Sequence, residues 1–193
     1  NNNANAIFLK LSNSNVKYKK PFILIISSFK KRKNLKLIRK IAIQYKDNLK
    51  IVFPSPKSNY ELDQQLFFKK FNVQVFNDLN EEELFQLYSS TFCVVVPSLY
   101  EGLSLVPLES ISFSVPLLMS NIDAHTYWEL PKSFYFDVTN FIELQSKIDF
   151  HLINEKKIID YSKYSLLMNK INNACKERSE NIIDIFKVKK LNY

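Results

Sequence analysis

The sequence predicts an α/β domain, a doubly wound parallel sheet of about six strands with helices on both faces. Two observations carry this expectation. Short continuous apolar runs such as "FILIIS" (22–27) and "FCVVVP" (92–97) recur along the chain, as expected of strands buried on both faces. Segments with helical spacing of apolar residues alternate with them, the pattern of β-α units on a parallel sheet. A third observation bounds the size: 193 residues with 46% hydrophobic content bury one such core without disulfides or structural metals.

The elements follow in order. After the first strand, "NLKLIRKIAIQYK" (34–46) puts Leu35, Ile38, Ile41 and Tyr45 on one stripe of a helix. "LKIVFP" (49–54) is a second strand, stopped by Pro54 and Pro56. "YELDQQLFFKKF" (60–71) is helical and "VQVF" (73–76) a third strand. "NEEELFQLYSS" (80–90) has Asn80 as N-cap and Glu83 three residues on, a capping box with acids in the first turn. Residues 92–97 give the strongest strand signal, and "PLESISFS" (107–114) reads as a helix with Pro107 at its first position. "VPLLMS" (115–120) and "FYF" (134–136) complete the strands, and residues 140–153, 155–169 and 172–188 read as closing helices. Residues 1–20 read as a polar linker or the remnant of a preceding segment, and 21–193 as the domain.

The two cysteines, Cys93 and Cys175, form neither a disulfide framework nor a metal cluster, so a reducing, cytoplasmic setting is expected. Cys93 lies in an apolar run and reads as a small buried hydrophobe. The charge is uneven. Residues 1–50 hold 13 Lys/Arg and one acid, a net of +12, whereas residues 51–193 hold 14 basic and 18 acidic residues, a net of −4. A basic N-terminal third suits an anionic partner, whether phosphate groups, acidic lipid headgroups or nucleic acid, or else simply a solvated helix face. No aromatic-interleaved basic strand or recognition helix accompanies it, which argues against nucleic acid.

The stretch "PSLYEGLSLVPLES" (97–110) carries the only glycine of the chain, Gly102, with Glu101 beside it and Glu109 eight positions further on. It follows the strand at 92–97, and in a doubly wound sheet ligands sit outside the C-terminal strand ends. A helix N-terminus there offers unpaired N–H groups to an anion. Glycine lets the backbone approach closely or take positive φ. Gly102, Leu103, Ser104 and Leu105 are therefore candidates to cradle a diphosphate, and Glu109 is a candidate anchor for a ribose diol. The same residues also suit a plain turn followed by a helix whose dipole favours a nearby acid.

"VVVPSLYEGLSLVPLES" (94–110) resembles the signature of the family-4, group 1 retaining glycosyltransferases of the GT-B fold. In that signature a strand ends in Pro-Ser, Glu-Gly follows, and a second Glu lies eight positions after the first. "PFILIISSFKKRKNL" (21–35) resembles the family's first strand and phosphate loop, "FNDLNEEELFQLYSS" (76–90) the segment before the signature, and "VPLLMSNIDAHTYWEL" (115–130) the strand and loop after it. The resemblance implies the C-terminal, donor-binding half of that fold. It gives Glu101 a place at the donor sugar as the catalytic-site glutamate, Glu109 the ribose, and Lys33 the diphosphate, with the amides from Leu103 to Leu105 completing the phosphate site. It implies metal-independent chemistry with a nucleoside-diphosphate sugar as substrate and no cofactor. A second, acceptor-binding domain or partner chain would be needed. A glycan or lipid-linked acceptor at the inner face of a membrane, in polysaccharide or lipopolysaccharide biosynthesis, is the implied setting.

Three positions depart from the family pattern. Ser27-Ser28 stands where the family usually has Gly-Arg or Gly-Ser; Ser28 stays a candidate donor-binding residue, and Arg32, Lys30 or Lys31 would compensate for a missing arginine unless they are plain solvated side chains. Ser104 replaces a turn glycine, which is tolerable at negative φ. Leu105-Val106 replaces Leu-Pro. These departures leave open a non-catalytic domain that binds a nucleotide or a partner. The fit around His125 and Glu129 is too loose to assign a role, and His125 suits a surface loop equally well.

Overall fold

The computed structural model describes residues 21–102, 104–154, 159–161 and 169. Strands β1 (Ile23–Ile26), β2 (Leu49–Phe53), β3 (Gln74–Asn77), β4 (Cys93–Val96), β5 (Leu117–Ser120) and β6 (Tyr135–Phe136) alternate with helices. The helices are α1 (Leu35–Tyr45), α2 (Asn59–Lys70), α3 (Glu81–Ser90), α4 (Leu105–Ser112), α5 (Asp123–Thr126) and α6 (Phe141–Ile153). The six strands form one sheet in the order β3-β2-β1-β4-β5-β6. Every neighbouring pair is parallel.

Alternation along the strands divides the interior into two cores. Ile23, Ile25, Ile51, Phe53, Cys93 and Val95 face the layer that holds α1 and the buried ends of α2 and α6. Leu24, Val94, Val96, Leu117 and Met119 face the layer of α3 and α4. Each fully buried aliphatic side chain contributes about 1.5–3 kcal/mol by leaving water. That is why the central strands read as unbroken apolar runs. Helix α1 buries Leu35, Ile38, Ile41 and Tyr45, the stripe its spacing predicts. The Tyr45 hydroxyl donates to Asp149 Oδ1 at 2.7 Å and so ties α1 to α6.

Two boundaries differ from expectation. The helix expected at 107–114 begins at Leu105, with Pro107 at its third position. The first four N–H groups of a helix have no intrahelical partner, so proline costs nothing there. The strand expected from Val115 begins at Leu117, after Ser114 turns the chain with φ 54°. The short α5 was not expected, since four residues show no helical period. The helices expected at 155–169 and 172–188 fall largely outside the described residues. In the described part, Ile159 N donates to the Ser114 carbonyl at 2.8 Å and the Tyr161 hydroxyl to that of Val115 at 2.9 Å, so this short piece packs on a turn.

The capping box at the start of α3 is formed. Asn80 Oδ1 accepts from Glu83 N at 2.9 Å, and Glu83 Oε2 accepts from Asn80 N at 3.0 Å. Replacing Asn80 with alanine is expected to cost about 1 kcal/mol of stability. Urea denaturation should show a lower midpoint at unchanged slope.

Candidate functional site

Strand order reverses between β1 and β4. From β1 the chain steps outward through β2 and β3, then returns to the other side of β1 at β4 and continues to β5 and β6. The loops that follow β1 and β4 therefore meet at the C-terminal edge of the sheet, where such folds leave a crevice for ligands. The β1 loop contains a single 3-10 turn, Lys31–Lys33, ended by Asn34 at φ 55°. The Asn34 side chain then caps α1 by accepting from Leu37 N at 3.3 Å. The β4 loop is stitched to this turn by its backbone, Leu99 N donating to the Arg32 carbonyl at 2.8 Å.

Side chains join the same two loops. Glu101 pairs with both Arg32 and Lys33, the latter at 2.6 Å, and its side chain is only 4% exposed. Ser98 Oγ donates to the same carboxylate at 2.7 Å. Burial pushes the Glu101 carboxyl up, but the Lys33 and Ser98 hydrogen bonds and the Lys33 and Arg32 charges outweigh it, so it sits below the ordinary carboxylate value. A buried carboxylate persists only when paired in this way. Arg32 and Lys33 thus hold an anionic group between them at the strand-order switch, and the same pair of cations suits a diphosphate.

A second layer lies behind Ser98. Ser120, the last residue of β5, donates from Oγ to the Ser98 carbonyl at 2.6 Å. His125, on α5, places Nδ1 2.9 Å from the Ser120 carbonyl and 3.1 Å from Ser120 Oγ. A carbonyl oxygen only accepts, so Nδ1 carries the proton. Burial outweighs the other influences on the ring and holds the imidazole pKa below its ordinary value. The ring is therefore neutral at pH 7 and Nε2 is a bare acceptor. His125 is 1% exposed, which corrects the surface-loop reading, and Nε2 is buried without a hydrogen-bond partner. Ser98 bonds Glu101 directly from three residues away, whereas Ser120 and His125 reach it only through Ser98, and the sequence assigned a role to none of the three. The only available signal was that Ser98 and Ser120 each sit at or just past the C-terminal end of a strand.

The remaining expected residues are placed as follows. Gly102 is exposed, its φ is not in the left-handed region, and a Cβ built on it meets no heavy atom within 4 Å. The turn therefore does not require a glycine. Five other described residues, Asn34, Asn72, Asp78, Ser114 and Glu129, do adopt positive φ, and none is glycine. Leu103 lies outside the described residues. Ser104 is the N-cap of α4 at φ −81°, so its backbone carries no strain. Its Oγ makes no cap bond, is buried and has no partner. Leu105 opens α4 and is 48% exposed. Glu109 stands in the second turn of α4, not the first, and Oε2 accepts from the buried Tyr88 hydroxyl of α3 at 2.5 Å. Ser28 is half-buried in the β1 loop. Lys30 and Lys31 are exposed, whereas Arg32 reaches the carboxylate, so Arg32 is the residue that supplies the second cation.

The basic N-terminal third is not one solvated face. Arg39 donates to Gln64 at 2.6 Å and lies 4.5 Å over the Phe67 ring. Lys50 is 6% exposed with Nζ 4.4 Å from the Phe22 ring. With Arg32 and Lys33 in the crevice, the exposed remainder among the described residues is Lys30, Lys31, Lys36, Lys40 and Lys46.

The strand order and the paired loops at the switch define a Rossmann-like domain, in the form that makes up the C-terminal half of a GT-B fold. Residues 9–166 match the family model described as glycosyl transferases group 1, and the chain belongs to that family. No curated protein is similar enough in sequence to count as a relative. Three solved structures share the fold. The catalytic domain of cholesterol-alpha-glucosyltransferase from Helicobacter pylori superposes with a TM-score of 0.58 at 20% identity, over 83% of this chain and 100% of that one. The C-terminal domain of a glycosyl transferase group 1 family protein (LpcC) from Francisella tularensis gives 0.60 at 15% identity, over 79% and 88%. Sucrose-phosphate synthase from Thermosynechococcus elongatus gives 0.60 at 16% identity, over 90% of this chain but only 49% of that one. The chain thus spans about half the length of that last, larger enzyme.

The Glu101 cluster predicts a pH-dependent stability. A carboxyl whose folded pKa lies below its unfolded value stabilises the fold above the unfolded pKa of about 4.3, and that contribution is lost as pH falls through the folded pKa. Glu101→Gln should therefore lower Tm most at neutral pH. The gap from the parent should narrow below about pH 4, which thermal melts across pH 3–7 will measure.

Proposed function

We propose that the chain is the donor-binding domain of a retaining glycosyltransferase that transfers a hexose from a nucleoside-diphosphate sugar to a glycan or lipid-linked acceptor. The observation that carries this reading is the convergence of Arg32 and Lys33 on one anion-holding point at the strand-order switch. Beside that point runs the N-terminus of α4, with the Ser104 hydroxyl buried and partnerless.

Gly102 supports the reading through what does not explain it. A chain that fills five left-handed positions with other residues uses its only glycine where φ is ordinary and no protein atom would meet a Cβ. A ligand that comes up against the backbone at Gly102 accounts for this choice. The diphosphate would be met by Lys33, Arg32 and the amides of Ser104 and Leu105 at the start of α4, with Leu103 added by the family resemblance alone. Such fixed charges and dipoles stabilise the leaving diphosphate without reorganisation, and no metal is needed to neutralise it. Glu109, with one oxygen fixed by Tyr88, would hold the ribose diol through the other. Glu101 would turn to the donor sugar once phosphate takes over its two cations. Ser28 would line the β1 side.

An acceptor domain, in the same polypeptide or another, would close the crevice. The exposed Lys30, Lys31 and Lys36 are consistent with work at an anionic membrane surface on the cytoplasmic side. None of the described helices is long and apolar enough to cross a membrane. The 193-residue chain by itself should bind nucleoside diphosphates weakly and transfer no sugar. Robust transfer by the purified chain would remove the need for a second domain.

Two substitutions test the site by calorimetric titration with UDP, GDP and ADP. Gly102→Ala should leave stability unchanged or raise it by about 0.4–1 kcal/mol, because alanine restricts the unfolded chain at a compatible φ, yet it should weaken nucleotide binding. Glu109→Gln should reduce affinity about tenfold, the loss of a charge-assisted hydrogen bond worth about 1.5 kcal/mol, and should not affect binding of inorganic pyrophosphate, which has no ribose. Unaltered nucleotide binding by both variants would dismiss the site.

A further inference from the structure

We propose that His125 is a ligand-binding residue of this crevice, its Nε2 accepting a hydrogen bond from a hydroxyl of the sugar carried by the diphosphate. The inference rests on the donor-binding reading and adds to it a residue that the glutamate-based signature does not contain. Three observations lead to it. The ring is fixed: Nδ1–H points at the Ser120 carbonyl and hydroxyl, and Ser120 is in turn hydrogen-bonded to the Ser98 carbonyl. The ring is neutral at pH 7 and 1% exposed, so Nε2 presents a lone pair with no partner. Buried acceptors of this kind are rare, because an unmade hydrogen bond costs about 1–3 kcal/mol.

The third observation is the place of the ring. Helix α5 begins two residues past the C-terminal end of β5, the strand next to β4. The charges of Glu101 and Lys33 both act on the imidazole. Through Ser120 and Ser98, the latter bonded directly to Glu101, His125 is joined to the carboxylate that the donor sugar would approach. An acceptor with no proton to give selects a donor. Ionised phosphate oxygens offer none, whereas sugar hydroxyls do. The chemistry points away from the diphosphate; ribose hydroxyls and base N–H groups are donors too, and comparing each nucleoside diphosphate with its nucleotide sugar separates them from the glycosyl group.

The two nitrogens can be separated. Asparagine places its amide nitrogen near the position of Nδ1, so His125→Asn keeps the bond to Ser120 and deletes the Nε2 acceptor. Each of four pairs would be titrated into the 193-residue chain and the variant: UDP with UDP-glucose, UDP with UDP-N-acetylglucosamine, GDP with GDP-mannose, and ADP with ADP-glucose. The expected result is a variant that melts like the parent, binds the nucleoside diphosphate equally well, and binds the matching nucleotide sugar about tenfold more weakly. Equal binding of the sugar form would overturn the proposal, and so would an equal loss for both members of a pair, which is the mark of a positioning role alone. If the parent binds none of the seven compounds, the donor-binding reading itself falls and this inference with it.

A measurement on the parent guards against a variant that fails to fold. The chain has two histidines, so nitrogen-15 labelling of histidine gives two ring systems. The unprotonated Nε2 resonance of His125 should shift upfield, the signature of an accepted hydrogen bond, on addition of the nucleotide sugar and not of the nucleoside diphosphate. A signal that does not respond to any bound sugar would overturn the proposal.

Discussion

The paired burial of Glu101 is the constraint on which the crevice depends. A carboxylate with 4% side-chain exposure is sustained only by cations at contact distance. Those cations come from the loop after β1, while the carboxylate comes from the loop after β4, 68 and 69 residues further along the chain. The interaction therefore locks together the two loops that the strand-order reversal brings to one edge. The backbone bond from Leu99 N to the Arg32 carbonyl does the same without charge. Behind them Ser98, Ser120 and His125 carry the fixation across to β5. The result is an anion-holding point whose geometry is set by three adjacent strands, a more rigid base than loops alone provide.

How the chain uses glycine sharpens the functional reading. Left-handed positions usually favour glycine, yet here asparagine, aspartate, serine and glutamate take them. Asn34 shows the advantage, ending one turn and capping the next helix with the same residue. Set beside this economy, a glycine at an unstrained and uncrowded position has no internal purpose. It stands one residue after the carboxylate that organises the crevice.

The fold was legible because parallel strands buried on both faces are continuous apolar runs, and because α1 and α3 carry a clear stripe and a clear capping box. The family signature singled out Glu101 and Lys33 separately, and offered Arg32 only as one substitute among Arg32, Lys30 and Lys31; that the three meet in one ion cluster was not legible. The start of α4 was misplaced because Pro107 is compatible with any of the first helical positions, and nothing local distinguishes the first from the third. That shift moves Glu109 into the second turn, where the buried Tyr88 hydroxyl meets it, so a helix-dipole account of this glutamate loses force. Helix α5 and His125 were illegible for a different reason. A four-residue helix has no period, and the value of its histidine comes from contacts with β5 and the β4 loop that exist only in the folded chain.

The distribution of basic residues completes the physical picture. A net charge of +12 over residues 1–50 suggests one diffuse attraction for anions, but the folded chain divides it into distinct uses. Lys50 and Arg39 lie against aromatic rings, where the side-chain stem packs and the charge meets a π face. Arg32 and Lys33 are drawn into the crevice and concentrate positive charge at one point. The exposed lysines that remain give a long-range field that steers an anionic ligand toward the domain and is screened within about 10 Å at 0.1 M salt. On the donor-binding reading proposed above, affinity for a diphosphate would rest with two side chains and a helix N-terminus, while the rest of the charge would affect the rate of encounter. Where the family usually has glycine and arginine the chain has Ser27 and Ser28, and the cation that stands beside Lys33 at the shared carboxylate is Arg32.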